Sequence, residues 1–295
     1  MRAIVIVCLG LGACGRFRFD AGVDSGADPA EPRCSWANGP TFGSVIHRDD
    51  LSSPASESAV ALVPGDPLTM VFSSARDGTD DMFVAHRPAT DAPWDQITKL
   101  GLSTTTANEI AVVLDRDGLH GYLSANPSGN YDLFEVARAS TGAELAIVRR
   151  LDELVDGSRH FNPWPASDGL SLSFTVNEPI ADSWLMYTAT RSDLTAPWSQ
   201  VQPSPLNMPG VNVAATFSAD HLLVVWEATS EVGTDYDLYY AVRDRADEPF
   251  GARRRIEIAT REDELIPGLR EDGCELYFSR GPASNWDLFS VEITP

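Results

Sequence analysis

Hydrophobic residues along this chain fall in short runs that recur about every 52 residues. Five apolar runs that end in a small or polar residue occupy positions 70–73, 121–124, 172–175, 224–227 and 276–279. About ten residues after each of these, a second short run begins, at Asp81, Asp132, Trp184, Asp237 and Asp287. A fixed period of this size indicates stacked copies of one supersecondary unit.

Each unit divides into four short runs rich in β-branched and aromatic residues, separated by Asp-Gly, Ser-Gly or Pro. In the fourth unit these runs are 211–218, 222–227, 237–242 and 250–256. Short strands at this spacing, without helical periodicity, are typical of an all-β fold. Four strands repeated radially form the blades of a β-propeller. The sequence therefore predicts an all-β, five-bladed β-propeller with four-stranded blades.

The two ends of the chain share the fifth unit. This unit stops after its third strand, and residues 39–45 parallel 248–253, where a fourth strand begins. We therefore expect residues 41–47 to form the outer strand of the last blade and to close the ring. Equivalent positions of the five units, spaced by 52 residues, support this closure of the ring. These positions are Phe42, Trp94, Ala146, Trp198 and Phe250.

The turns between the first two strands carry a recognisable pattern. Residues 267–279 read Pro-Gly-Leu-Arg-Glu-Asp-Gly-Cys-Glu-Leu-Tyr-Phe-Ser and are followed by Asp-Leu-Phe at 287–289, and blade three keeps Pro163, Ser167, Asp168 and Gly169. This pattern resembles the PD40 (WD40-like, TolB-type) propeller repeat, over residues 36–295, although blades one and four depart from it at the turn. The resemblance implies a propeller with a binding surface and implies no particular reaction.

The first 35 residues predict export and a lipid anchor. An apolar run at 3–11 follows Arg2 and is too short to span a bilayer. Residues 11–14, Leu-Gly-Ala-Cys, resemble a bacterial lipobox, which implies a signal peptide at 1–13 and acylation of Cys14. The alternative is an ordinary signal peptide with an incidental cysteine. Residues 14–35 are acidic and rich in Gly and Pro, as in a flexible tether, so the propeller domain is predicted at 36–295.

Charge narrows the expected partners. The chain has 22 Lys and Arg against 43 Asp and Glu, a net charge of −21, or about −22 without Arg2. This composition argues against nucleic acid as a partner and against an anionic membrane surface, since both attract basic proteins. We expect a monomer in contact with the membrane only through its lipid. Gly15 after the acylated cysteine favours the outer membrane, and the partner would be a basic envelope protein or small ligand.

The remaining cysteines suggest a disulfide. Cys8 would leave with the signal peptide and Cys14 would be acylated, so that Cys34 and Cys274 remain. In the predicted topology both lie at the same end of the fifth blade, where a disulfide would fix the closing strand in an oxidising compartment. The alternative is two unrelated thiols, because the second and fourth strands of a blade are not neighbours.

Polar residues at the start of the innermost strands are the candidate binding site. Aligning the units on their first turns brings Ser58, Glu109, His160, Asn212 and Glu264 into register. The turns on the same face carry Asp80, Asp81, Asp132, Asp235, Asp237 and Asp287. Together they predict an acidic funnel around the central channel, where a ligand could bind. The alternative is that these side chains hydrogen-bond nearby backbone.

No catalytic motif accompanies this pattern, so we expect no catalytic residue, no cofactor and no metal. The five histidines fall in separate units and lack metal-ligand spacing. The main hypothesis is therefore a non-enzymatic, lipid-anchored binding or scaffold domain of the bacterial envelope. The alternative is a glycoside hydrolase of five-bladed type that uses Glu109 and Glu264, which requires two carboxyl groups about 5–5.5 Å or 6.5–9.5 Å apart.

Overall fold

A computed structural model describes residues 34–102, 107–178, 183–229, 235–258, 260–282 and 285–294. The predicted signal peptide, Cys14 and most of the tether lie outside these residues. The described chain forms five sheets arranged as a five-bladed propeller with four-stranded blades, which confirms the predicted fold. Within the described residues, no helix is long and apolar enough to cross a membrane.

The strands of each blade are antiparallel and follow one another from the centre outward. Two short strands precede the first blade, β1 (Thr41–Phe42) and β2 (Ile46–His47). Blade one contains β3 (Glu57–Val63), β4 (Asp66–Ser74), β5 (Asp81–His86) and β6 (Asp95–Lys99). Blade two contains β7 (Glu109–Leu114), β8 (His120–Ala125), β9 (Asp132–Ala137) and β10 (Ala146–Arg150), and a 3₁₀ turn follows at Asp152–Leu154.

The last three blades repeat this order. Blade three contains β11 (Arg159–Pro165), β12 (Ser171–Glu178), β13 (Ser183–Thr190) and β14 (Ser199–Pro203). Blade four contains β15 (Asn212–Phe217), β16 (Leu223–Thr229), β17 (Tyr236–Val242) and β18 (Arg254–Arg255). Blade five contains β19 (Asp263–Leu269), β20 (Glu275–Gly281) and β21 (Asp287–Thr294).

The N-terminal segment completes blade five, as the sequence predicts. Strand β1 pairs Thr41 with Thr294, and β2 pairs His47 with Phe289, so both lie outside β21. Beside them, the structure joins Cys34 and Cys274 in a disulfide, with their Cα atoms 5.0 Å apart. The last blade is thus closed by main-chain pairing and by a covalent link.

One predicted register is wrong in blade two. Leu145, and not Ala146, takes the place of the aromatic residues that begin the other outer strands, because Leu145 is buried and Ala146 is exposed. A uniform step of 52 residues fails here because the turns between second and third strands differ in length. Paired residues across this turn are 11 apart at Leu123 and Phe134 but 13 apart at Phe174 and Tyr187.

An arginine after the third strand links the outer part of a blade to its first turn. In blade four, the guanidinium of Arg243 lies 4.3 Å from the ring centre of Phe250, and its Nε donates to the carbonyl of His221 at 2.7 Å. The same two contacts occur at Arg87 in blade one and at Arg191 in blade three. Cation–π contact and hydrogen bond together hold this arginine in place.

Candidate functional site: the channel mouth and an inter-blade cleft

The central channel is narrow. Left-handed backbone at four non-glycine residues bulges the innermost strands toward the axis, and these residues are Ala59, Asn162, Ala214 and Ile266. With Ala111 and neighbouring residues they line a cavity of about 30 Å³. A cavity of this size holds about two water molecules. No organic ligand fits at this level of the channel.

The predicted polar ring lies two residues before these bulges and is buried. In blade one its member is Glu57, which is opposite Ser74, and not Ser58. The equivalent pairs across the first two strands are Glu109–Ala125, His160–Val176, Asn212–Ala228 and Glu264–Arg280. All five ring side chains are at most 3% exposed. They lie between blades and do not line an open funnel.

Two ring residues hydrogen-bond the loop that leads into their own strand. The carboxylate of Glu57 accepts from the backbone N–H of Ser53 at 3.1 Å and from its hydroxyl at 2.5 Å. Asn212 accepts from the N–H of Met208 at 2.8 Å and donates to the carbonyl of the same residue at 2.7 Å. Both contacts span four residues. They fix the entry to the inner strand, which agrees with the backbone-bonding alternative.

Glu264 and His160 also contact the loop that leads into their own strand. Oε1 of Glu264 accepts from the N–H of Thr260 at 3.0 Å and from Nε of Arg280 at 2.9 Å. Burial raises the pKa of Glu264, and the contacts with Thr260 and Arg280 oppose that rise. His160 has Asp156, four residues before it, at 3.6 Å, and burial lowers the pKa of its imidazole.

The proposed glycosidase pair is therefore not presented to a substrate. Glu109 is 1% exposed and Glu264 is fully buried. The backbone of Glu109 pairs with the previous blade, since its N–H donates to the carbonyl of Asp80 and its carbonyl accepts from the Ser73 hydroxyl. A glycosidase needs carboxyl groups that contact the glycosidic bond. This geometry does not provide them at either glutamate.

Most carboxylates of the predicted acidic funnel are paired with cations of the outer strand. Asp81 contacts Nζ of Lys99 at 2.6 Å, and Asp237 contacts Nε of Arg255 at 2.6 Å. The remaining pairs are Asp132–Arg150 at 3.3 Å and Asp287–His47 at 3.3 Å. In blades one, two and four the cation follows the aspartate by 18 residues, a spacing that the sequence contains. These pairs stabilise four of the five blades and reduce the negative charge at the mouth.

A larger cavity lies elsewhere, between blades three and four. This inter-blade cleft has a volume of about 400 Å³. It exists because blade three presents Ser173 and Thr188, a cross-strand pair, toward blade four. The equivalent pairs in the other blades contain at least one larger side chain and are Val71–Val84, Tyr122–Glu135, Val225–Tyr240 and Tyr277–Ser290. Small side chains at this interface therefore leave room for a ligand.

The walls of the cleft combine aromatic rings and hydroxyl groups. Trp164 of blade three and Phe217 and Phe250 of blade four line it, and each is half-buried. Ser171 and Ser173 line the wall of blade three. Such a mixture of apolar surface and a few convergent polar groups is typical of small-molecule sites.

The mouth of the cleft carries a strained residue. His221 has φ of 56°, in the left-handed region, whereas blades two, three and five have glycine with positive φ at the matching place of the first turn, at Gly118, Gly169 and Gly273. Its Nε2 accepts from the backbone N–H of Ser167 in blade three at 3.1 Å, and its ring stacks on Phe217. Burial, and then the charge of Arg243, lower the pKa of His221, which favours the neutral imidazole that this hydrogen bond requires.

The sequence shows that blade four departs from the repeat pattern at its first turn, where Asp220 and His221 lie, but it does not indicate a role for them. Asp168 and Asp220, from the first turns of blades three and four, also line the cleft. Their Oδ1 atoms accept from backbone N–H groups two residues later, at 2.8 and 3.0 Å. Among the residues that the structure describes, no group of three or more His, Cys, Asp or Glu side chains could hold a metal ion.

No protein-family model matches this chain, and no curated protein matches it. Solved propellers are similar in fold at low identity. A putative TolB from Agrobacterium tumefaciens is 14% identical, with a TM-score of 0.50 over 84% of this chain and 86% of that chain. An endo-arabinase from Bacteroides thetaiotaomicron is 12% identical, with a TM-score of 0.56 over 86% and 98%. A β-1,2-mannobiose phosphorylase from Listeria innocua is 10% identical, with a TM-score of 0.58 over 84% and 96%.

These similarities show the fold and nothing finer. A putative TolB, an endo-arabinase and a β-1,2-mannobiose phosphorylase are all similar in fold to this chain, so the fold alone does not select a function. The function of this chain has to be argued from its own side chains.

Proposed function

We propose that this chain is a non-enzymatic binding domain of the bacterial envelope, held at the outer membrane by a lipid on Cys14, and that its ligand binds in the inter-blade cleft. The observation that carries this proposal is the contrast between the two candidate regions. Most polar groups of the channel mouth are buried or paired, whereas the cleft offers about 400 Å³ with polar groups on its walls.

Binding, and not catalysis, is favoured by the way the chain uses its acids and bases. Glu109 and Glu264 lie between blades, and the Nε2 atom of His221 is occupied by a backbone N–H. A general acid or base must reach the reacting proton through a free lone pair or hydrogen. Neither glutamate has that access, and the histidine would have to give up its bond.

The acidic surface supports a basic protein partner in addition to a small ligand. A net charge of −21 attracts cationic surfaces and accelerates their association at low ionic strength. Association should therefore slow as added salt screens the attraction, with a screening length of about 8 Å near physiological ionic strength. The anchored domain would meet such a partner within the envelope.

Affinity capture from native envelope extract, run beside a screen for glycan hydrolysis, tests the proposal. The bait is the wild-type domain. The control bait is an acidic domain with a scrambled sequence and the same net charge. We expect specific capture that weakens with salt, and no turnover of any glycan. A hydrolase activity that Glu109→Gln or Glu264→Gln abolishes would refute the binding function and restore the glycosidase alternative.

The anchor is tested separately. Cells that express the full chain are fed labelled palmitate, and Cys14→Ser is the matched control. Label on the wild type that is absent from Cys14→Ser is the expected result. Equal labelling of both, or of neither, would contradict the lipid anchor while leaving the binding site untouched.

A further inference from the structure

We infer that the cleft between blades three and four binds a neutral carbohydrate. This inference rests on the proposed function and names the ligand class of that same site. Three properties of the cleft carry it: its volume, the chemistry of its walls and the low charge of its lining.

The volume of the cleft is not a packing requirement of the fold. Four of the five blade interfaces place a Val or a Tyr where blade three places Ser173 and Thr188. Valines in place of Ser173 and Thr188 would give blade three an apolar contact with blade four. Blade one already makes a contact of this kind with blade two through Val71. Protein interiors are ordinarily packed without such voids, and stabilising substitutions of this kind are readily found. An unfilled interface of about 400 Å³, within the usual range for ligand pockets, is therefore a property of the site.

The walls match the two surfaces of a sugar ring. Trp164 and Phe217 offer aromatic faces, on which the C–H face of a pyranose can stack. The hydroxyls of Ser171, Ser173 and Thr188 also line the cleft, and within the described part of the chain they make no side-chain hydrogen bond. A serine or threonine hydroxyl both donates and accepts, as each hydroxyl of a sugar does.

The mouth carries little net charge. Asp168 and Asp220 are carboxylates of the two first turns, and each accepts a hydrogen bond from a backbone N–H of its own turn. Arg243 lines the same mouth, so that two carboxylates lie near one guanidinium. Deeper in the cleft the lining is aromatic, aliphatic and hydroxylic. An ionic ligand would lie there without a counter-charge, which is costly, whereas a neutral polyol would not.

His221 holds this mouth at a fixed width. Its bond to the N–H of Ser167 joins the first turns of blades three and four, and the stacking of its ring on Phe217 orients the aromatic wall. A non-glycine residue in left-handed backbone costs free energy, and strain of this kind concentrates at functional sites. His221 is therefore a positioning residue of the cleft.

The test titrates the wild-type domain with neutral disaccharides, cellobiose and N,N′-diacetylchitobiose, and follows the indole N–H resonance of Trp164 by NMR. Gluconate and glucosamine are the charged comparison probes, and the dipeptide Gly-Leu is the non-sugar control. We expect at least one neutral disaccharide to shift the Trp164 resonance in a saturable way. The charged sugars and the dipeptide should bind more weakly by a factor of about ten or more. A factor of ten in affinity corresponds to about 1.4 kcal/mol.

A double variant, Ser173→Val with Thr188→Val, gives the wall of the cleft the residues of blade one and partly fills the cleft. It should raise the melting temperature of the free domain and weaken disaccharide binding about tenfold or more. Thr98→Val makes the same kind of change on the exposed outer strand of blade one and should leave binding unchanged. Phe217→Leu, which keeps an apolar side chain but removes the aromatic face, should also weaken binding and covers the case in which the double variant fails to fold.

Three outcomes would overturn the inference: no response to either disaccharide, equal binding by the filled variant, or a preference for a charged sugar. The fate of the proposed function is distinguishable from this result. If capture of an envelope partner is lost in the filled variant while no sugar binds, the cleft is a binding site for another ligand class. If capture is specific but unaffected by filling, the domain binds through another surface, and both the cleft site and its ligand class are wrong.

Discussion

A buried glutamate, Glu227, offers the sharpest test of the energetics of this fold. It lies on β16 in blade four, is 5% exposed, and its Oε2 accepts from the backbone N–H of Ile266 in blade five at 3.0 Å. At the matching place blades one to three use Ser73, Ser124 and Thr175, whose hydroxyls bond the inner strand of the next blade. Glu227 makes the same inter-blade contact with a side chain that can ionise.

The pKa of Glu227 determines how much this contact lowers the free energy of unfolding at a given pH. Burial raises the pKa from an ordinary value of 4.5 to about 8; the Ile266 N–H opposes the rise, and the charge of Asp263 adds to it. Between these two values the folded chain holds a proton that the unfolded chain has released. Since the folded state then binds more protons, the free energy of unfolding falls as the pH rises from 4.5 to 8. At about 1.4 kcal/mol per pKa unit, the loss is roughly 3 kcal/mol at pH 7.

Glu227→Gln removes this cost, because glutamine keeps an acceptor oxygen for the Ile266 N–H and cannot ionise. Urea unfolding at pH 5, 7 and 8.5 should show nearly equal stability at pH 5. The variant should be more stable by roughly 3 kcal/mol at pH 7, and by somewhat more at pH 8.5. In a domain of this size, 3 kcal/mol corresponds to a rise in melting temperature of about 6–12 °C. The exposed Glu144→Gln is the matched control and should show no such dependence on pH.

A stability difference between wild type and Glu227→Gln that does not change from pH 5 to pH 8.5 would refute this reasoning. It would mean that the carboxyl group is ionised in the folded protein and is compensated by its surroundings. A loss of stability at every pH would mean that the glutamine amide has no place between the two blades.

Three further predictions concern the closing strand and the outer ion pairs. Burial lowers the pKa of His47, but hydrogen bonds to two carboxylates raise it overall, so its stabilisation is present below pH 6.5 and is lost as the pH rises through the folded value; in urea unfolding, His47→Gln should destabilise more at pH 5.5 than at pH 8.5. Cys274→Ser opens a loop of 240 residues and should cost up to roughly 5 kcal/mol relative to oxidised wild type by the chain-entropy estimate, whereas reduced wild type should be about as stable as the variant. Arg255→Met leaves the buried Asp237 without its guanidinium and should cost about 2 kcal/mol, after allowance for the partial exposure of the arginine, whereas Gln202→Met in blade three should be neutral.

The fold could be predicted from the sequence because its strand pattern is repeated. Five copies of a four-strand unit reinforce one another, so that errors of one residue, such as Ala146 for Leu145 or Ser58 for Glu57, leave the number of blades unchanged. The closing strand could be predicted for the same reason, since residues 39–45 parallel 248–253, where the fourth strand of blade four begins.

The candidate site was not accessible in the same way, because it depends on relations that lie outside the repeat alignment. The aspartates of the second turns looked like an acidic funnel until their partners on the outer strand were known. Asp81, for example, contacts Lys99, which lies opposite Phe83 in the pairing of β5 with β6, and that register is known only from the structure. The ring residue Glu264 looked like a channel carboxylate, but the bulge at Ile266 turns the backbone so that the bulge, and not the glutamate, lines the axis.

The cleft shows why deviation from a repeat can be more informative than the repeat itself. Each blade must bury one face against its neighbour, and four interfaces do so with a Val or Tyr on the leading blade. Ser173 and Thr188 break this rule at the interface where His221 also replaces a turn glycine in left-handed backbone. Either substitution alone would be a local loss of stability. That both occur on the two sides of one cavity is best explained by a requirement for the cavity, because each alternative, Val or Tyr in the wall and Gly in the turn, is already used elsewhere in the same chain.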